Sequence, residues 1–328
     1  MTKKLYEYNV DESFEICLLI KSADVRMAKN GNPFIAFTFQ DQSGQMDGKY
    51  WSATSDDIAK YVPGKVVVVN GKREMYNNSP QVKIVSLRLT DASKGEPTSA
   101  SHFVEHAPMT KEEMEEEVNQ IMFDITNPYL RRIVHNILKK YQEDFFEFPA
   151  AKRHHHAFVG GLSFHTVSML RLAKAIATQY TQINRSLLYS GVILHDIGKT
   201  MELTGAIGTE YTLKGNLLGH IVIMDEEITK ACEELDIDEN QEDVLLLKHL
   251  ILAHHGKLEY GSPVRPQLLE AEVLHHIDLL DATITMMSNA LDKTEPGAFS
   301  ERVFGLDNRS FYKPTSNEEE LKCDSKNK

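Results

Sequence analysis

Five stretches of this chain set imidazoles beside small or apolar residues, a placement that suits a divalent cation held for hydrolysis. His165 lies in Gly160-Gly-Leu-Ser-Phe-His-Thr166, and His195 and Asp196 adjoin in Gly191-Val-Ile-Leu-His-Asp-Ile-Gly-Lys199. His220 follows Gly219, His254 and His255 close the apolar run 244–253, and Asp278 sits in His275-His-Ile-Asp-Leu-Leu-Asp-Ala282. An imidazole and a carboxylate side by side at the end of an apolar run need a partner, because a charge buried unpaired is costly. Imidazole and carboxylate without thiolate is the donor set for Mn²⁺, Fe²⁺, Co²⁺ or Zn²⁺. Asp196 could bridge two such ions, and a pair about 3.5–4 Å apart activates water for in-line attack on a phosphodiester. A lone histidine on an apolar face is more often a satisfied core residue. Seven positions in the order H…HD…H…HH…D, spread over five helices, argue against that reading here.

Other residues near these carry weaker signals. Lys199 follows Asp196 by three positions and would balance charge building on a phosphoryl group, or it is a solvated lysine after a glycine turn. Asp281 reads equally as a partner of a ligand and as a helix-surface carboxylate. His154-His-His156 precedes Gly160, so His155 and His156 either line a substrate entrance or belong to an exposed loop. His249, His275 and His276 read as packing or surface residues, and His135 carries no signal.

Helical patterns hold these groups. Thr110 with Glu113 forms a capping-box signature, and helices are expected over about 111–123, 128–145, 162–180, 184–196, 217–234, 240–255 and 268–292. Residues 1–90 read differently. Short β-branched or aromatic runs (15–21, 33–39, 64–70 and 81–85) are separated by turn signals such as Asn30-Gly-Asn-Pro33 and Pro63-Gly64. About five strands and a helical patch near 55–61 suggest a small barrel, with the OB-fold the first candidate. Residues 91–110, rich in Ser, Gly and Pro, read as a linker. Residues 111–312 read as the helical domain, and 313–328 as a polar tail.

The 328 residues can carry two cores. The net charge of −12 at first argues against a polyanion, but residues 1–90 hold 12 Lys and Arg against 10 Asp and Glu. That +2 leaves −14 for the other 238 residues, so the barrel is not the acidic part. A local basic groove or bound metals can offset global charge. No apolar run approaches the roughly 20 residues that span a bilayer, and the first residues lack a signal core. Three widely spaced cysteines fit a reducing cytoplasm and exclude a CxxC zinc site.

The order of histidines and aspartates resembles the HD superfamily of metal-dependent phosphohydrolases, an all-helical fold. That resemblance implies that His165, His195, Asp196, His220, His254, His255 and Asp278 are metal ligands, as in its two-metal members. An OB-like barrel ahead of such a domain further resembles the YhaM family of bacterial 3′→5′ exoribonucleases over about residues 5–310. The segments that carry the likeness are 30–41, 160–166, 195–199 and 274–282. Ser163-Phe164 stands where many HD proteins have Leu-Glu, which leaves the ligand in place. The resemblance implies release of nucleoside 5′-monophosphates from single-stranded RNA, with single-stranded DNA a second substrate, two divalent ions, Mn²⁺ first, and a chain that could form a homo-oligomer.

A barrel of this kind holds single strands by stacking bases on aromatics and tracking phosphates with cations. Candidates are Phe34, Trp51 and Tyr76 for bases, with Lys49, Lys72, Arg73 and Lys83 for phosphates. Strand alternation puts Phe37 and Phe39 opposite Phe34, and we expect Phe37 and Phe39 to be the buried pair; Trp51 reads as either surface or core. Two rival functions remain at this level: hydrolysis of a small or cyclic nucleotide with a regulatory barrel, and single-strand binding without catalysis. The Gly-Tyr-Pro extension of cyclic-dinucleotide enzymes is absent after His255, where the chain reads Gly256-Lys-Leu-Glu-Tyr-Gly-Ser-Pro263.

Overall fold

The computed structural model describes residues 3–28, 31–76, 79–104, 106–151, 158–205 and 209–315. The chain divides into two compact units: Met1–His106 with Thr204–Glu210, and Ala107–Leu203 with Tyr211–Lys328.

In the first unit, β1 (Ser13–Met27), β2 (Pro33–Asp41), β3 (Gly44–Trp51), β4 (Val66–Tyr76) and β5 (Ser79–Leu89) close a barrel in the order β1-β2-β3-β5-β4. The helix α1 (Ser55–Lys60) lies between β3 and β4, capped by Thr54, whose hydroxyl accepts from Asp57 N–H. Five strands closed in this order with that intervening helix form an OB-fold. Alternation places Leu18, Ile20, Ile35, Phe37, Phe39, Met46, Val67, Val69 and Val82 in the core. Phe37 and Phe39 are therefore the inward pair, as strand period two requires. β3, the least apolar strand, gives the weakest sequence signal, because only its alternate residues face inward.

The expected linker at 91–110 is more structured than its composition suggests. Short 3₁₀ turns occupy Ala92–Lys94 and Ala100–Phe103, and Ala100, Phe103 and Val104 are buried. Small and polar residues here serve turns and their caps, such as the Asp91 carboxylate that accepts from Ser93 N–H.

The second unit contains α2 (Lys111–Asp124), α3 (Pro128–Glu147), α4 (Gly161–Gln179), α5 (Arg185–Leu194), α6 (Lys199–Glu202), α7 (Leu213–Leu235), α8 (Glu242–Ala253) and α9 (Leu269–Asp292). Thr110 and Glu113 make the reciprocal capping box. Helix α5 is buried from Ser186 to Leu194, so the His195-Asp196 pair at its end emerges inside the protein. Two helical features escaped the periodicity. Helix α6 is a single turn, too short to show a period, and α7 begins at Leu213 because Thr212 caps it. Beyond α9 the described residues form no further α-helix: isolated bridges Phe299↔Tyr312 and Val303↔Arg309 form a small antiparallel arm around a 3₁₀ turn at Phe304–Leu306.

Candidate metal centre and single-strand face

Each ligand position is set by where a helix stops or bends. His165 faces inward from the first turns of α4; His195 caps α5, and Asp196 lies in the turn that follows. Gly219 breaks α7 with φ 74°, a conformation that favours glycine, and His220 resumes the helix turned toward Asp196. Gly198 is required by contact, since a Cβ there would lie 2.3 Å from the His220 carbonyl oxygen. His254 ends α8, and Asp278 projects from the middle of α9.

These elements bring all seven predicted ligands together. Among the described residues, His165, His195 and Asp278 form one group of potential donors and His220, His254 and His255 a second, with donor atoms within 4.8 Å in each. Asp196 stands between the groups. Its Oδ2 is 3.3 Å from His195 Nε2 and 4.0 Å from His165 Nε2. Its Oδ1 is 3.4 Å from His220 Nε2 and 3.9 Å from His254 Nε2. One carboxylate thus offers one oxygen to each group.

The imidazoles are oriented by their other nitrogens. His195 Nδ1 donates to Val192 O (2.8 Å), His254 Nδ1 to Ile251 O (2.7 Å) and His255 Nδ1 to Tyr260 O (2.7 Å). His165 Nδ1 meets Asp281 Oδ2 at 2.7 Å, and His220 Nδ1 meets Glu202 Oε1 at 3.1 Å. Carbonyl and carboxylate oxygens only accept, so each Nδ1 carries hydrogen, and Nε2 is the nitrogen that each ring turns to the centre. His195 Nε2, His220 Nε2, His254 Nε2 and Asp196 Oδ1 are buried and meet no hydrogen-bond partner. Four such atoms converging on one place is costly unless a cation satisfies them. The residues therefore fit two divalent ions.

The electrostatics agree with that fit. Burial works against the Asp196 charge, but Lys199, His195 and His220 outweigh it and hold the carboxyl well below its ordinary range. Lys199 Nζ lies 2.7 Å from Asp196 Oδ2, and although burial opposes the ammonium, Asp196 holds it above its ordinary range. Burial, reinforced by neighbouring imidazoles, pushes His254 well below its usual value and lowers His255. Both are neutral at pH 7, the form that coordinates. His165 goes the other way: burial opposes its charge, yet Asp278 and Asp281 raise it to about 9. A cation entering here must displace that proton.

Asp281 is the partner of His165, and it also accepts from the Ser168 hydroxyl. Glu202 was missed. It lies on the one-turn helix α6, and an isolated acid there carries no periodic signal. The carbonyls of Val192, Ile251 and Tyr260 have no side-chain signature at all. His155 and His156 lie outside the described residues.

On the barrel, the outer face of β2 and β3 carries the aromatics. Register pairs Phe34 with Trp51, and their ring centroids lie 4.7 Å apart. Trp51 is 57% exposed, so it is surface rather than core. The Lys49 ammonium sits 5.9 Å from the Trp51 ring and 5.0 Å from Tyr76, also exposed. Lys72 pairs with Asp11 at 2.8 Å, and Lys83, its cross-strand neighbour, is exposed. Arg73 is a correction to the expected phosphate set. Opposite the buried Val82, it donates to Tyr6 O (3.1 Å) and Tyr8 O (2.7 Å) and ties down the segment before β1. Sequence spacing alone could not show which side of β4 it occupied once the barrel closed.

Known proteins match the helical domain and nearly the whole chain. Residues 162–283 match the HD domain family. The 3′-5′ exoribonuclease YhaM of Listeria monocytogenes is 52% identical over 315 residues, 96% of this chain and 99% of that protein. Its counterparts in Listeria innocua and Listeria welshimeri are 52% and 51% identical with the same coverage. A solution structure of the second OB-fold domain of replication protein A from Methanococcus maripaludis overlaps 28% of the chain and 96% of that domain, with 17% identity and a TM-score of 0.23. Among the described residues no helix is long and apolar enough to cross a membrane. With identity above half over nearly the full length of both chains, and the HD-domain match covering the helices that hold the ligands, this protein belongs to the YhaM family.

Proposed function

We propose that the protein is a metal-dependent 3′→5′ exoribonuclease that releases nucleoside 5′-monophosphates from single-stranded RNA and also accepts single-stranded DNA. The observation that carries this reading is Asp196, whose two oxygens address two separate groups of ligands. The direction of degradation and the RNA substrate follow the Listeria relatives, which are 3′-5′ exoribonucleases.

In this reading His165, His195 and Asp278 would hold one ion and His220, His254 and His255 the other, with the Asp196 carboxylate placed between the two groups. Two divalent ions, Mn²⁺ for preference, supply Lewis-acid charge and lower the pKa of water when bound. The chain's own contribution is positioning. Nδ1 hydrogen bonds lock the imidazoles, burial keeps His254 neutral, and Lys199 holds a positive charge beside Asp196. An ammonium has three donors, and Asp196 uses one, leaving others for a phosphoryl oxygen. Phe34, Trp51 and Tyr76, with Lys49, Lys72 and Lys83, are the proposed single-strand face of the barrel.

Residues 1–90 are the proposed nucleic-acid domain, 111–312 the catalytic domain, and 313–328 a tail. We place the protein in the cytoplasm, in keeping with the free thiols of Cys17 and Cys232, and a homo-oligomer is compatible with the reading. The test is a 5′-labelled single-stranded RNA incubated with purified protein and Mn²⁺. A ladder shortening from the 3′ end, lost in Asp196→Ala, is expected. RNA binding without shortening under any divalent metal would refute the proposal.

A further inference from the structure

The metal centre is closed on most sides. His165, His195, Asp196, His220 and His254 are buried, whereas His255 and Asp278 are only partly so. A strand end must therefore arrive past His255 and Asp278. The loop that follows His255 stands at this opening, because the Tyr260 carbonyl accepts from His255 Nδ1 at 2.7 Å.

This loop is tightly built. Leu258–Tyr260 forms a 3₁₀ turn, Tyr260 N–H and Ser262 N–H both donate to Lys257 O, and Gly261 takes φ 94°. It displays an aromatic ring and a cation, with Leu258 and Glu259 exposed between them. Tyr260 is 56% exposed, and the Lys257 ammonium lies 5.0 Å from its ring centroid. Neither side chain belongs to the buried core of the helices. Ser262 in the same loop is 2% exposed, and its hydroxyl meets no hydrogen-bond partner.

With Tyr260 56% exposed, part of its ring surface is open to solvent beside the ammonium. Stacking of a base on such a ring, with a lysine at its edge for phosphate, is how single strands are held without sequence preference. The barrel repeats the arrangement in Lys49 over Trp51 and Tyr76.

We propose that Tyr260 and Lys257 form a terminal-nucleotide subsite at the mouth of the metal centre, Tyr260 stacking on the base at the strand end and Lys257 countering its phosphate. The proposal rests on the exoribonuclease reading. It assigns the loop a substrate role beyond its support of His255, and the two roles separate cleanly. The carbonyl is backbone and survives side-chain replacement, whereas the ring does not.

The experiment measures KM and kcat of the full-length Mn²⁺-loaded protein on a short single-stranded oligoribonucleotide, with and without an abasic 3′-terminal residue. Tyr260→Ala should raise KM about tenfold, the scale of one lost stack, and Tyr260→Phe should restore it. The abasic end should raise the wild-type KM by a similar factor and leave that of Tyr260→Ala unchanged. Lys257→Ala should lower the salt dependence of binding by about 0.7 in the log–log slope. Elemental analysis should find the metal content of Tyr260→Ala equal to that of the wild type. Equal penalties for abasic ends in wild type and Tyr260→Ala would overturn the subsite while leaving the exoribonuclease intact, and so would metal loss in that variant. A wild-type protein that shortens no RNA would overturn both.

Discussion

Glu202 holds His220 by two bonds, its Oε1 lying 3.1 Å from both the backbone nitrogen and Nδ1 of that histidine. Burial works against the Glu202 charge, yet His220 more than offsets it and lowers the carboxyl from its ordinary value. The acid therefore fixes both the tautomer and the approach of a ligand that stands just after a helix break. Replacing it with alanine should weaken metal binding at the His220, His254 and His255 group about 10–100-fold, the usual effect of losing a ligand's orienting partner. Metal titration of Glu202→Ala should show one weakened and one near-normal site, and raised metal concentration should restore activity. Equal weakening of both sites would refute this.

Metal binding should depend on pH through His165. With its folded value near 9, the imidazole is protonated at neutral pH in the metal-free protein, and an entering ion must displace that proton. Apparent affinity should rise by about tenfold per pH unit from neutrality toward pH 9 and level off above it. Asp281→Asn removes one of the two carboxylates that raise His165, so the plateau should begin at a lower pH. Competition titrations with a chromophoric chelator would measure both.

The same groups set the stability of the metal-free protein. The raised His165 contributes stability that is complete below its unfolded value of 6.5 and lost as pH climbs to about 9. The depressed His254 and His255 contribute the opposite limb, costing stability as pH falls below 6.5 because they must take up protons. Thermal melts of metal-free protein should show an alkaline decline over about pH 6.5–9 that Asp281→Asn flattens. An unchanged decline in that variant would remove His165 as its source.

The two aromatic sets of the barrel should behave differently. Trp51→Ala should cost about 1–3 kcal/mol in single-stranded RNA binding with little change in melting temperature, since one face of the ring is already in water. Phe37→Ala, in the sealed interior, should cost about 3–5 kcal/mol of barrel stability. Anisotropy titrations and denaturant melts of both variants would decide. A Trp51→Ala barrel that melts early but binds RNA normally would show the assignment reversed.

Arg73 should act on stability and not on phosphate. Arg73→Ala breaks two hydrogen bonds from a charged donor to Tyr6 and Tyr8, each on a scale of about 1.5–3 kcal/mol. Its salt dependence of RNA binding should match the wild type, whereas Lys49→Ala should lower the slope by about 0.7. A lowered slope in Arg73→Ala would return it to the phosphate set.

Residue types and their order determined a great deal of this protein. A barrel ahead of a helical domain is legible in period-two runs giving way to longer apolar stripes. The seven candidate ligands are legible as a set: each alone reads more easily as a core residue, but seven in that order at helix ends and in apolar stretches do not. Alternation alone puts Phe37 and Phe39 on one face opposite Phe34, and closure of the barrel makes that face the inner one. Tertiary structure decided what spacing cannot carry. Glu202 acquires its role only when α6 packs against the break in α7, and neither a one-turn helix nor a backbone carbonyl has a periodic signature. Arg73 and Trp51 were assigned to their faces by barrel closure, which sets which residues of β4 and β3 look inward. The division of labour between the oxygens of Asp196 likewise appears only when five helices meet. Local sequence sets which side chains a segment offers; the packing of distant segments sets which of their atoms face one another.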